Sequence, residues 1–107
     1  MKDDSLYIDH ILRSINNILE YTKGINKKDF SKNNLVQDAV IRNFEIIGEA
    51  TKKVSDVYKR VHVEIPWKEI SGMRDKLIHD YIGVDIDVIW KTIKKDLPPL
   101  KKNLESK

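Results

Sequence analysis

The stretch LVQDAVIRNFEIIGEATKKVSDV, residues 35–57, decides the fold. Its apolar side chains recur at steps of three and four residues, which places them on one face of an α-helix. These positions are Val36, Ala39, Val40, Phe44, Ile47, Ala50 and Val54. A helix with so broad an apolar stripe needs other helices to cover it, so the stretch predicts the central helix of a bundle. Gly48 is expected to let a second backbone come close.

The chain before the central helix predicts one more helix and a linker. Apolar residues recur with helical spacing from Leu6 to Leu19, and Gly24 suits the left-handed conformation that often follows a helix. The candidates for the N-cap of this helix are Asp3, Asp4 and Ser5. Residues 25–34 are polar and rich in lysine, which predicts a linker whose Phe30 packs back onto the body.

Two helices are predicted after the central one. Pro66 suits the first turn of a third helix, whose apolar spacing continues to Tyr81 before the break at Gly83. Asp85 can cap a fourth helix, which Pro98 kinks or restarts. The sequence has no alternating strand pattern and no internal repeat. We therefore expect an all-α fold, an antiparallel bundle of four to five helices.

Length and composition bound the class of protein. A chain of 107 residues, 40% hydrophobic and 35% charged, has the size of one domain, so residues 1–107 are predicted to form a single unit. The chain has no cysteine, which excludes disulfides, thiolate metal sites and cysteine nucleophiles. The charged start and the absence of a long apolar run predict a cytoplasmic protein that does not cross a membrane.

Positive charge is concentrated at the C-terminal end. The formal net charge is +3, and residues 91–107 alone contain six lysines against two carboxylates. A surplus of this kind can attract the phosphates of RNA. It also fits a solvated helix face, and charge alone favours that reading.

The three histidines are the natural candidates for proton transfer, because histidine titrates near neutral pH. His10 lies beside the apolar face of the first helix and His62 lies in the turn before Pro66, so both are predicted to be structural. Neither stands in a known metal-ligand spacing, and Gly48 is not part of a phosphate-binding loop. The sequence therefore predicts neither a metal nor a cofactor.

His79 differs because of its surroundings in GMRDKLIHDY, residues 72–81. Arg74 and Tyr81 share one face of an ideal helix, and Asp75 lies one turn before His79 on another. These groups suit cleavage of RNA by its own 2′-hydroxyl, with His79 moving the proton, Arg74 holding the phosphate and Asp75 orienting the imidazole. Without further context, a surface salt-bridge cluster is the simpler reading.

The relative directions of Arg74 and His79 pose a geometric problem. On an ideal helix the two side chains point about 140° apart. If both act on one phosphate, the helix must end or distort near His79, or the arginine must reach around it. The third solution is that a second subunit completes the site.

These residues resemble the HEPN family, and within it the HepT-like toxins that are encoded beside minimal nucleotidyltransferases. The resemblance covers nearly the whole chain, and several matching segments in the right order are more specific than the short motif. The segments are residues 41–50, IRNFEIIGEA; residues 65–67, IPW; Arg74 to His79 followed by Tyr81; residues 83–85 with Trp90; and residues 96–98, DLP.

The resemblance implies a HEPN-like homodimer in which Arg74 and His79 of both subunits line a shared cleft that cuts RNA without a metal. That arrangement would solve the geometric problem. Tyr81 matches the tyrosine that an MntA-like nucleotidyltransferase antitoxin modifies with AMP in some such toxins. Glu49 matches an acidic position near the cleft and is, with Asp75, a candidate supporting residue.

Two other functions fit the sequence. The chain could be a non-catalytic helical module that binds RNA or a partner nucleotidyltransferase, or it could be a purely structural adaptor. The presence of both Arg74 and His79 favours the enzyme.

Overall fold

The computed structural model describes residues 3–77 and 85–106. Within these ranges the chain is helical and has no strand, which confirms the all-α prediction. The elements are α1 (Asp4–Tyr21), α2 (Lys27–Lys32), α3 (Asn34–Lys53), α4 (Asp56–Val61), α5 (Trp67–Ser71), α6 (Met73–Leu77), α7 (Ile86–Lys91), a π-helical segment (Thr92–Asp96) and α8 (Leu97–Glu105). Among these elements, α2 and α4 are short helices that were not predicted separately, and the predicted third and fourth helices are each divided.

Helix α3 is the central element. It packs along α1 and also contacts α5 and α6, so its apolar stripe is covered from two sides. Phe44 and Ile47 are fully buried, opposite an α1 face whose Ile11 and Ile15 are also fully buried. The predicted central helix is confirmed, but α3 ends at Lys53 rather than near residue 57.

The early end of α3 follows from a cap that the sequence reading missed. The Ser55 side chain accepts a hydrogen bond from the Tyr58 backbone N–H at 3.1 Å and thereby starts α4. Asp4 binds the same serine, accepting from its backbone N–H at 2.8 Å and from its hydroxyl at 2.7 Å. Asp4 therefore ties the start of α1 to the α3–α4 junction. Asp3 occupies the N-cap position of α1 without a side-chain cap bond.

The segment predicted as a linker contains the short helix α2. The Asn26 side chain accepts from the Asp29 backbone N–H at 2.8 Å, and the Asp29 carboxylate accepts from the Asn26 N–H at 3.4 Å. This reciprocal capping box provides the helix start that the lysine-rich composition hid. Phe30 is fully buried, as predicted, with its ring 5.2 Å from that of Trp90. Gly24 has the predicted left-handed conformation, with φ of 79°.

The predicted third helix is divided into α5 and α6 at Gly72. The division is shallow, because the Gly72 N–H donates to the Lys68 carbonyl at 3.1 Å and the Gly72 carbonyl accepts from the Lys76 N–H at 3.1 Å. Pro66 is the N-cap residue of α5, so it lies just before the first helical turn rather than within it, where it was predicted. The predicted continuation to Tyr81 and the break at Gly83 lie outside the described residues.

The last helical unit confirms two predictions. The Asp85 side chain caps α7 by accepting from the Val88 N–H at 3.1 Å. Pro98 lies in the first turn of α8, where the helix restarts after the π-helical segment. A proline has no N–H to donate to the carbonyl one turn earlier, so a regular α-helix cannot run unbroken through this point. Among the described residues, no helix is both long and apolar enough to span a bilayer.

Candidate active site

Arg74 is the predicted site residue that the structure describes most fully. It lies on α6, between the buried side chains of Met73 and Leu77. These two residues hold α6 in the core, against α3 and α5. The Arg74 side chain itself is 49% exposed, so an anionic ligand can reach it from solvent.

Two carboxylates hold the Arg74 guanidinium. Its Nε lies 3.6 Å from Oε2 of Glu45, which comes from α3, and its Nη1 donates to Oδ1 of Asp75 at 3.3 Å. The other oxygen of Glu45, Oε1, lies 3.7 Å from Nη1 of Arg42. We call Arg42, Glu45, Arg74 and Asp75 the arginine cluster. It contains two guanidinium groups that approach one carboxylate. Arginine side chains are also the usual protein ligands of phosphate oxygens.

The remaining predicted site residues divide into two groups. His79 and Tyr81 lie outside the described residues. Asp75 is 80% exposed, and the contact that the structure gives for its carboxylate is to Arg74. Glu49 is exposed on α3, one turn after Glu45, whereas the α3 carboxylate that contacts Arg74 belongs to Glu45.

Glu45 is the site residue that the sequence reading missed. It lies in the segment IRNFEIIGEA, four residues before Glu49 and hence on the same face of α3. That spacing shows that the two glutamates share a face of α3, but it does not show which of them meets Arg74.

The two other histidines have structural surroundings. The His62 ring packs on that of Tyr58 at 4.3 Å, and the His62 carbonyl accepts from the Trp67 indole N–H at 2.9 Å. His10 meets Tyr7 edge to face at 6.4 Å. Both contacts support the structural reading. Residues 3–77 and 85–106 contain no cluster of three or more histidine, aspartate or glutamate side chains that could bind a metal ion.

A groove of about 490 Å³ lies on another side of α6, between α5–α6 and the last helical unit. Met73 and Lys76 line it from α6, and Leu100 and Asn103 line it from α8. On a regular helix Lys76 points about 160° away from Arg74. The groove is therefore separate from the arginine cluster.

Comparison with known proteins identifies the family. Residues 11–106 match the family model described as "Ribonuclease HepT-like". The chain therefore belongs to the HepT-like ribonuclease family, within the HEPN group, and the resemblance drawn from the motifs is confirmed. No solved structure matches the chain significantly.

Individual relatives agree with the family model. The chain is 50% identical to the "probable ribonuclease HepT" of Thermococcus cleftensis, over 92% of this chain and 90% of that protein. It is 45% identical to a "putative RNase" of Caldanaerobacter subterraneus, over 98% of this chain and 94% of that protein. A "gamma-glutamylcyclotransferase and putative RNase" of Methanocaldococcus jannaschii is 48% identical over 96% of this chain, which spans 46% of that longer protein.

Proposed function

We propose that this chain is the toxin of a toxin–antitoxin pair, a metal-independent endoribonuclease that acts in the cytoplasm as a homodimer of single HepT-like domains. Arg74 and His79 carry the reaction, and a cognate MntA-like nucleotidyltransferase silences it by attaching AMP to Tyr81. The observation that supports the proposal is the Arg74 guanidinium, held at the protein surface by Glu45 and half exposed, in a chain of a ribonuclease family.

The proposed reaction uses the 2′-hydroxyl of the RNA as the nucleophile. Its oxygen attacks the adjacent phosphorus while its proton passes to an imidazole of the shared cleft, and the bond from phosphorus to the 5′-oxygen breaks. A protonated imidazole gives its proton to the leaving 5′-oxygen. Arg74 stabilises the negative charge that builds on the phosphate oxygens, which is the task a metal ion performs in other nucleases. The products are a 2′,3′-cyclic phosphate and a 5′-hydroxyl.

We expect Arg74→Ala and His79→Ala each to lower the rate of RNA cleavage at least about 100-fold, the size of effect expected for a lost acid–base or charge-stabilising group. Purified protein is incubated with total RNA and a chelator, and the product ends are identified. Lys76→Ala, which removes a neighbouring exposed cation of α6, is the matched control and should cleave normally. Products with 3′-hydroxyl ends, or RNA binding without cleavage by the wild type, would contradict the proposal.

The proposed switch rests on the spacing between Arg74 and Tyr81. On an ideal helix these residues share a face two turns apart. An AMP group on the tyrosine would bring a negative phosphate beside the guanidinium, where it would neutralise Arg74 and repel RNA.

We expect incubation with the cognate nucleotidyltransferase and ATP to add whole AMP increments to the peptide that contains Tyr81. Mass spectrometry measures the increments, and RNA cleavage should fall in proportion to them. Tyr81→Phe should escape modification and remain an active nuclease, while Tyr58→Phe is the control that stays modifiable. ATP-dependent silencing of Tyr81→Phe would place the switch at another residue.

A further inference from the structure

We infer that Glu45 is a positioning residue of the nuclease site, whose carboxylate sets the direction in which Arg74 presents its guanidinium to RNA. The inference rests on the proposed role of Arg74. Among the described contacts of Arg74, the ion pair with Glu45 is the one that comes from a different helix. A partner on a second helix fixes direction relative to the body of the protein, which a neighbour on the same short helix cannot do.

The packing of α3 on α5 and α6 makes this contact possible. At Gly48, one turn after Glu45, a Cβ atom would lie 3.5 Å from the backbone carbonyl of Ser71 at the end of α5. The two backbones are therefore close, and α6 begins just beyond this point. This proximity brings Oε2 of Glu45 to 3.6 Å from Nε of Arg74.

The exposure of the pair argues against a mainly structural role. The side chains of Glu45 and Arg74 are 33% and 49% exposed, and ion pairs this open to water contribute little to folding stability. Reaction rates are far more sensitive to placement, because a small displacement of a charge-stabilising group removes much of its effect on the transition state. The ion pair can thus matter for turnover while mattering little for folding.

Glu45 has opposite effects on RNA binding and on catalysis, and these effects can be separated kinetically. Glu45 is an anion beside the path of an anionic substrate, so removal of its charge strengthens the attraction of the arginine cluster for RNA. The same change releases the Arg74 guanidinium from its fixed direction. Loss of Glu45 should therefore lower kcat while KM stays the same or falls.

The kinetic test compares Glu45→Gln with Asp38→Asn, which removes an equal charge from the exposed face of α3 two turns before Glu45. We expect Glu45→Gln to lower kcat about 10- to 100-fold with KM unchanged or reduced, and Glu45→Asp to recover part of that loss. Asp38→Asn should keep kcat within about threefold of the wild type, and thermal melting should be similar for all. Equal effects of Glu45→Gln and Asp38→Asn on kcat, or a Glu45→Gln effect confined to KM, would overturn the inference.

A second measurement does not depend on activity. In protein labelled with ¹⁵N-arginine, the Nε–Hε signal of Arg74 is the one that disappears in Arg74→Lys. Its relaxation should show restricted motion in the wild type and free motion in Glu45→Gln, with exposed Arg13 as the internal standard. Arg74 motion as free as that of Arg13 in the wild type would overturn the inference. If Arg74 is restrained by Glu45 but the wild type cuts no RNA, the proposed function fails and the positioning contact stands.

Discussion

Arg42 and Arg74 approach the same carboxylate, one from each oxygen of Glu45. Their environments differ, because the Arg42 side chain is 71% exposed and that of Arg74 is 49% exposed. An exposed arginine next to the proposed nuclease site is suited to contact a phosphate of the RNA backbone outside the bond that is cut. Such a contact contributes affinity and register without touching the reacting atoms.

We expect Arg42→Gln to raise KM for RNA about three- to tenfold and to leave kcat within about twofold, since one phosphate contact is lost. The slope of log affinity against log salt should become shallower by about 0.7, the value for one phosphate on a single strand. Equilibrium binding of single-stranded RNA at several salt concentrations measures both. Arg60→Gln, on α4, is the matched control, and an equal effect there would mean that only net charge matters.

At the scale of the helices, the contact between α3 and α5 brings the two halves of the arginine cluster together. Gly48 was expected to let a second backbone approach, and the structure identifies that backbone as the carbonyl of Ser71. The separation of 3.5 Å from an added Cβ is an ordinary van der Waals contact, so a methyl group fits at this position. The close approach of the two backbones therefore does not by itself require a glycine at position 48.

We expect Gly48→Ala to raise the free energy of unfolding by about 0.5–1 kcal/mol, because alanine is the better helix former and its methyl group fits. Gly48→Leu should lower it, since its side chain must push α5 away from α3. Chemical denaturation monitored by circular dichroism measures both. Gly24→Ala gives the contrast: at φ of 79° it should cost about 1 kcal/mol. Destabilisation by Gly48→Ala would mean that the helices pack more tightly than the structure indicates.

At the scale of the whole molecule, the chain is a flat body with principal extents of 44, 28 and 19 Å. A thickness of 19 Å corresponds to about two helix diameters. The main residues of the apolar stripe of α3 are buried within the chain. Within residues 3–77 and 85–106, the exposed large apolar residues are Leu6, Tyr21, Leu35, Val57, Val61 and Val63. The proposed homodimer therefore rests on the shared Arg74–His79 site rather than on an uncovered stripe.

We expect sedimentation to show a dimer at micromolar concentration, and the shared cleft to allow complementation. Arg74→Ala and His79→Ala proteins, each inactive alone, should regain part of the cleavage activity when unfolded together and refolded as a mixture. A mixed dimer keeps one arginine and one histidine in the cleft. Each variant refolded alone is the control. A monomer that cuts RNA, or a mixture that stays inactive although mixed dimers form, would exclude a shared site.

The sequence by itself determined what depends on local spacing. The central helix, the cap at Asp85 and the left-handed Gly24 follow from neighbours within a few positions, and the structure has all three, although α3 ends at Lys53. The Arg74 to Tyr81 motif is equally local, and together with the other matching segments it identified the family before any fold was known. Local cues were also present for α2, but the lysine-rich composition masked its capping box.

The tertiary structure decided what depends on distant parts of the chain. The end of α3 involves Ser55, which is bound by Asp4, a residue 51 positions earlier in the sequence. The pairing of Glu45, rather than Glu49, with Arg74 depends on how closely α3 approaches α5 and α6. Helical periodicity shows which residues share a face but not how far along a neighbouring helix that face makes contact. That offset is set by side-chain packing across the core, so only the folded chain fixes which carboxylate meets the arginine.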